Sequence, residues 1–337
     1  MNMMTAIALI LTLAALPALT APMQQSHELL AQQTMAVAYS GFREGQHPDR
    51  GSGAVNPSDT EILEDLQILQ RHGFELIRLY DSGDNSAATL RIIQQHQIPI
   101  KVLLGIWLDA EVSNHEGCAW LDAPIPEGEL QHNMLKNKAE IQRSISLANE
   151  FPDIVIAVNV GNEALVSWND HMVPVASVVQ YVRQVKAATT QPITVADNYE
   201  WWIKHGAVLA KELDFIGVHT YPMWEHKTIE QAIAYTVDNI AAVQQALPHK
   251  PIAVLEAGWA TTAREFPVQA NEAAQARYYA EVSEWAKANN MTFFFFEAFD
   301  EPWKGDPTKA DGAEKHWGLF NVKRQPKQAM QHTLEVK

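Results

Sequence analysis

Eight times between residues 35 and 334 the chain repeats one local grammar: a short apolar run, a polar stretch, then a segment with helical periodicity. The apolar runs cover 35–40, 74–80, 99–107, 154–158, 192–196, 214–219, 251–256 and 291–297, and the last contains four consecutive phenylalanines. Runs that are apolar throughout, without alternation, belong to strands buried on both faces, as in a parallel sheet covered by helices. Parallel neighbours need a long crossover, which the helical segments supply at 87–96, 138–150, 173–188, 201–213, 228–247, 267–289 and 325–334. The first crossover is the best marked: Ser58 with Glu61 three residues later is a capping-box signal, and Ile62, Leu63, Leu66 and Leu69 form its stripe. A doubly wound open sheet would also alternate in this way. None of the early strand-to-helix turns carries its GxGxxG fingerprint, whereas eight units match a (β/α)8 barrel of ~250 residues. The expectation is a single α/β TIM barrel over 33–337, with no internal break, and an extended loop at 107–137 after the third strand. A loop of that length in a compact domain is usually functional.

Composition narrows the partners. A formal net charge of -15 argues against nucleic acid and against an anionic membrane surface, and suits a neutral substrate. One cysteine, Cys118, excludes an internal disulfide framework and any multi-thiolate metal site. The thirteen histidines show no HExxH spacing. Neither metal nor cofactor is expected, and a monomer is. The start of the chain is different. Residues 6–21 are almost wholly apolar but fall short of the ~20 a spanning helix needs, and they end in small residues after Pro17. That pattern reads as an export signal over 1–21, with an uncleaved anchor as the alternative, and implies a secreted or periplasmic protein without a membrane span in its mature chain.

Barrel enzymes build their sites at the carboxyl ends of the strands. Those positions hold Tyr39, Arg43, Tyr80, Asp81, Trp107, Asn162, Glu163, Asn198, His219, Tyr221, Glu256, Trp259, Glu297, Asp300 and, just beyond, Lys304. Carboxylates, amides and aromatic rings together suit a sugar, whose C–H faces stack on rings while its hydroxyls need donors and acceptors. Of the ten tryptophans, Trp107, Trp168, Trp201, Trp202, Trp224, Trp259, Trp303 and Trp317 follow strands, while Trp285 fits a helix core. Any single one is explained by packing, and the ensemble is harder to explain so. Glu163 closes the polar tip 159–163 that follows the fourth run, and Glu256 ends the seventh. Each alone could pair with an arginine. On facing walls of one barrel, two buried carboxylates repel unless the chemistry uses them.

Three longer motifs carry a family likeness: Gly161-Asn162-Glu163, the stretch Leu255-Glu256-Ala257-Gly258-Trp259, and the run from Phe296 through Glu297, Asp300, Glu301 and Trp303 to Lys304. With Ile77-Arg78-Leu79-Tyr80-Asp81, the segment 41–46 and His316-Trp317-Gly318-Leu319, they resemble glycoside hydrolase family 17, the β-1,3-glucanases and related glucanosyltransferases of the retaining barrel clan. The resemblance implies Glu163 as acid/base, Glu256 as nucleophile and Asn162 on the 2-hydroxyl of the reacting sugar. It also implies a hydrogen-bonding partner for the nucleophile after the sixth strand, for which both His219 and Tyr221 qualify. In such a pair Glu256 is ionised while Glu163 carries the proton; Glu163 protonates the leaving oxygen, a glycosyl-Glu256 intermediate forms, and Glu163 then activates water or a sugar hydroxyl. Glu297, Asp300, Glu301 and Lys304 read by themselves as a salt-bridge network, and in the family reading some of them shape the floor beneath the nucleophile. The expected partner is a β-1,3-glucan of laminarin type, hydrolysed or transferred; a non-catalytic glucan-binding barrel is the remaining alternative. The loops 41–55 and 107–137 are expected to wall off part of the cleft.

Overall fold

Each apolar run becomes a strand: five are trimmed by a residue or two at their ends, while the fourth, fifth and seventh run on past their expected ends to 162, 198 and 258. The structure, a computed structural model, describes residues 28–49 and 53–331. Its strands are β1 (Met35–Ala38), β2 (Leu76–Arg78), β3 (Lys101–Ile106), β4 (Val155–Asn162), β5 (Ile193–Asn198), β6 (Ile216–His219), β7 (Ile252–Gly258) and β8 (Phe293–Phe296). They run parallel, each beside its successor, and close where Met35 of β1 pairs with Phe293 of β8. The export segment expected at 1–21 and the last residues of the helix expected at 325–334 lie outside the described residues. Among the described residues no helix is long and apolar enough to cross a membrane.

Alternation along the strands sorts side chains into two layers. Ala36, Leu76, Leu103, Ala157, Ala196, Ala253, Leu255 and Phe294 meet inside the barrel. Their neighbours Val37, Ile77, Val102, Leu104, Val158, Val195, Val254 and Phe295 face the helices. Those helices are α1 (Asp59–Arg71), α2 (Asp84–Gln95), α3 (Glu127–Glu150), α4 (Val175–Ala188), α5 (Tyr199–His205), α6 (Ile229–Ala246), α7 (Glu272–Ala288) and the single turn α8 (Gln328–Gln331). The capping box of α1 forms as its sequence specifies, with Ser58 and Glu61 bonded reciprocally. Cys118 is a buried free thiol.

Two helix boundaries depart from the periodicity. The 201–213 segment is not one helix: α5 stops at Gly206, whose close approach to Trp202 leaves no room for a side chain, and one 3-10 turn (Leu209–Lys211) follows. More consequentially, α3 begins at Glu127, so the loop after β3 is 107–126 and not 107–137. The first three turns of α3 offer no apolar stripe to detect. Apart from buried Leu130, their inward contacts are amides: Asn133 Nδ2 donates to Ala110 O, and Asn137 brackets Asp109, accepting from its N and donating to its O. Hydrogen bonds to the loop replace the apolar face that marks most surface helices.

Candidate active site

The end of β4 is bent to present Glu163. Its pairing with β5 slips between Asn159 and Asn162, Gly161 takes φ +90°, and Glu163 itself sits at φ +48°. Left-handed backbone at a non-glycine residue costs roughly 1–2 kcal/mol and persists only where its surroundings enforce it. Here Glu163 N donates to Ala196 O at 2.9 Å, Asn169 Nδ2 donates to Glu163 O at 3.2 Å, and Val173 N donates to Ala164 O at 2.7 Å. Beneath the turn, buried Asp197 accepts from Leu165 N at 3.0 Å and from Asn198 N at 2.7 Å. Burial first, then the charge of Glu163, push the Asp197 carboxyl well above the usual carboxylate range.

Glu256 reaches the same cleft by another slip. With Ala253 and Leu255 inside the barrel, strict alternation would send Glu256 outward to the helices. The ladders of β7 break at this level on both sides, against β6 after Val218 and against β8 after Val254. A β-bulge of this kind re-aims one side chain, and Glu256 turns to the barrel mouth. Arg78 at the end of β2 meets it there. Nη1 of Arg78 donates to Glu256 Oε1 at 2.9 Å, and Nη2 donates to Asn162 Oδ1 at 2.5 Å. Tyr80 OH donates to Oε1 at 3.0 Å and Tyr221 OH to Oε2 at 2.5 Å. Burial would raise the Glu256 carboxyl. The Nδ1–H dipole of His219 and the charge of Arg78, with the two tyrosine hydrogen bonds, outweigh it and hold the group below the ordinary range.

His219 at the end of β6 links the two acids. Its Nε2 faces Arg78 Nη1 at 3.1 Å, and a guanidinium can only donate, so Nε2 is the acceptor and the proton sits on Nδ1. Nδ1–H donates to Glu163 Oε1 at 2.9 Å and lies 3.6 Å from Glu256 Oε2. One oxygen each of Glu163 and Glu256 and the His219 ring nitrogen all lie within 4.8 Å of one another. The same three atoms are close enough to be considered as cation ligands. Arg78 already supplies the positive charge, however, and Nδ1 has no lone pair to offer while it carries the proton, so the arrangement suits carboxylate chemistry better. Glu256 and His219 are buried, while the Glu163 side chain keeps 22% of its surface open to the cleft.

Of the two candidates for the nucleophile's partner, Tyr221 bonds Glu256, and His219 bonds Glu163. Tyr80, Asn162, Glu163, His219, Tyr221 and Glu256 therefore converge, and a second buried group adjoins them. Lys304 Nζ lies 2.6 Å from Glu297 and 2.7 Å from Glu301, over the ring of Phe296, while Ser40 donates to Glu301. Burial, only partly offset by Lys304, pushes the Glu297 carboxyl well above the usual range. Trp107 stands at the edge, its ring 4.5 Å from His171, whose Nε2–H donates to Asn162 O at 2.9 Å.

Other expected site residues are placed elsewhere by stronger local partners. Arg43 and Tyr39 turn toward buried Asp65, Arg43 at 2.8 Å and the Tyr39 hydroxyl at 3.5 Å. Asp81 folds back onto Gly83 N and Ser86 Oγ at the start of α2, and Asn198 caps α5 through Glu200 N. Asp300 accepts from Lys327 at 2.7 Å and from Gly318 N. Trp259 is fully buried, its Nε1 donating to Gln269 O and its ring against Tyr278, so it packs behind β7 and does not line the cleft. Trp201, Trp202 and Trp317 are buried as well. Arg78 is the residue absent from the expected set. Its signal was in view: an arginine within the apolar run 74–80 is buried only if it meets an acid.

The comparisons with known proteins meet this geometry. Residues 36–318 match the model of the BtgE/BtgC glycoside hydrolase domain. A glucan 1,3-beta-glucosidase of Arthroderma benhamiae is 27% identical over 285 residues, covering 79% of this chain and 83% of the relative. A probable glucan endo-1,3-beta-glucosidase, btgC, of Aspergillus clavatus is 24% identical; this chain spans about two fifths of it, 39%. Among solved structures, an endo-laminarinase from Formosa Hel1_33_131 is 28% identical with a TM-score of 0.76, covering 89% of this chain and 86% of that one. A family 17 β-1,3-glucanosyltransferase from Rhizomucor miehei shares the fold at 24% identity, TM-score 0.67, covering 88% and 97%. Matched over nearly its whole barrel, the chain belongs to the BtgE/BtgC glycoside hydrolases, enzymes of the family 17 type.

Proposed function

We propose that the protein hydrolyses β-1,3-glucan of laminarin type with retention, by double displacement between Glu256 and Glu163. One observation carries the reading: an oxygen of one carboxylate lies within 4.8 Å of an oxygen of the other, with the His219 imidazole bonded to Glu163 beside them. Retaining pairs stand ~5–5.5 Å apart, while inverting pairs need ~6.5–9.5 Å to admit a water between them. The environments divide the roles. Glu256, buried and held ionised by Arg78, Tyr80 and Tyr221, is suited to attack the anomeric carbon. Glu163, with one oxygen bonded to His219 and its side chain partly open, is suited to carry the proton to the leaving oxygen and to deprotonate the incoming water. Arg78 fixes the Asn162 amide with its oxygen inward, so its NH₂ is the group available to a sugar hydroxyl. The names of the similar proteins, glucan 1,3-beta-glucosidase and endo-laminarinase, support the linkage.

Proton NMR of the first products from reduced laminari-oligosaccharides tests this directly. The β-anomer appearing before mutarotation supports double displacement, and the α-anomer appearing first sinks it. The same carboxylates would serve transfer if a sugar hydroxyl replaced water, and a labelled laminaribiose acceptor in the same tubes separates the two outcomes. We further propose export through the 1–21 segment, since a polysaccharide substrate is met outside the cell; N-terminal sequencing of protein recovered from the medium or periplasm is the check, and a retained, intact start would exclude it.

A further inference from the structure

We infer that Trp120 and Trp168, on the loops after β3 and β4, form a stacking platform for the leaving-group side of a glucan chain. The inference rests on the proposed glucanase reading and extends it to a subsite. These two tryptophans are the most exposed in the described part of the chain, at 76% and 46%, while Trp202, Trp259 and Trp317 are buried. Large rings left in water gain nothing for the fold, so what holds them there calls for an explanation.

The loops that carry them are tied together. Trp120 sits on a tight turn closed by Leu121 N donating to Cys118 O at 3.2 Å, and buried Cys118 anchors that turn from below. The loop is fastened to its neighbour by one amide: Asn114 Nδ2 donates to Ser167 O at 2.7 Å and to Asn169 O at 2.6 Å. Gly117 lies so near Ser167 that a Cβ on it would stand 3.0 Å from the Ser167 carbonyl. Glu111 N and Val112 N both donate to Met172 O, closing the far side of the same seam. The seam ends at the chemistry, because Asn169 Nδ2 donates to Glu163 O.

Position assigns the ligand. The acid delivers its proton to the oxygen that leaves, so the sugar that leaves lies on the Glu163 side of the cleft and the sugar that is attacked lies over Glu256. Loops stitched to Glu163 from the β3–β4 side therefore face the departing part of the chain or, in the second step, an incoming acceptor. Indole rings carried on loops tied down in this way can bind the flat C–H faces of glucosyl units at a reduced entropic cost.

The test compares two substrates with the full chain. Laminarihexaose reaches across both sides of the scissile bond, whereas 2,4-dinitrophenyl β-laminaribioside carries only a small leaving group. Trp120→Ala and Trp168→Ala should each raise KM for laminarihexaose by about tenfold, the effect of losing one good stacking contact. The dinitrophenyl substrate should feel each change much less, and Trp→Phe at either position should recover most of the loss. Equal losses on both substrates, or no loss on laminarihexaose, would overturn the platform while leaving the glucanase reading intact. A parent protein that cleaves neither substrate would overturn both together.

Discussion

At Glu256 burial pulls toward the neutral acid, while His219, Arg78, Tyr221 and Tyr80 pull toward the carboxylate, and the carboxylate wins. Removing the cation should reverse the balance. Arg78→Met is expected to move the acid limb of kcat/KM to higher pH, because the group that must be ionised then ionises later; a limb that stays in place would exclude Arg78 as its cause. The same substitution should cost about 3–5 kcal/mol of stability, as for a buried charge left unpaired. Because the folded carboxyl lies below its unfolded value, its ionisation supports the fold above the ordinary carboxylate range, and that support fades as pH falls through the lowered value. Glu163→Gln is expected to lower kcat on laminarin by about 10²–10⁴-fold. Its effect on release of a dinitrophenyl leaving group, which needs no proton, should be far smaller, and equal losses would argue against the acid role. The two glutamates were legible in sequence because each ends or closely follows an apolar run that has to be a strand. Arg43, Asp81, Asn198 and Trp259 also follow strands, yet Asp65, the start of α2, the start of α5 and Gln269 claim them. Sequence position told where a strand ends, and local hydrogen bonding decided which way the side chain turned.

Among the elements, the strands were readable and their irregularities were not. An unbroken alternation would have sent Glu256 away from the cleft, and the bulge that corrects this leaves no mark in the sequence 252–258. Helix α3 was half invisible because its first turns pack through amides instead of a hydrophobic stripe. Gly105 in β3 shows how an element positions chemistry at a distance. A Cβ there would fall 2.3 Å from the carbonyl carbon of Tyr80, so β2 passes β3 only because that position is bare. Gly105→Ala is expected to cost about 3 kcal/mol, at the upper end of overpacking, and to draw the Tyr80 hydroxyl away from Glu256. Thermal unfolding together with kcat checks both effects; a lost Tm with kcat intact would mean that Tyr80 does not set the rate.

Over the whole molecule, eight alternating units made the barrel legible, while its closure depends on contacts between residues far apart in sequence. Arg324, beyond the last strand, forks onto Asp65 of α1 with two 2.8 Å bonds and donates to Gly41 O after β1, joining the end of the barrel to its beginning. Arg324→Ala should cost about 2–3 kcal/mol, somewhat below the roughly 3–5 kcal/mol of an orphaned partner, because Arg43 still lies 2.8 Å from Asp65. Chemical denaturation measures it, and an unchanged midpoint would show that the clasp contributes nothing. The charges on the cleft floor cancel in pairs. Arg78 offsets Glu256, Lys304 offsets Glu301, and Glu297 is pushed toward its neutral form. Although the protein carries a formal net charge of -15, these floor charges are paired, and a neutral polymer carries no charge for the remaining field to steer. An enzyme built this way meets its neutral polymer by diffusion and fit alone. Its kcat/KM on laminarin should stay within about twofold from brackish to seawater-like ionic strength, a tolerance rooted in the paired side chains at the bottom of the cleft.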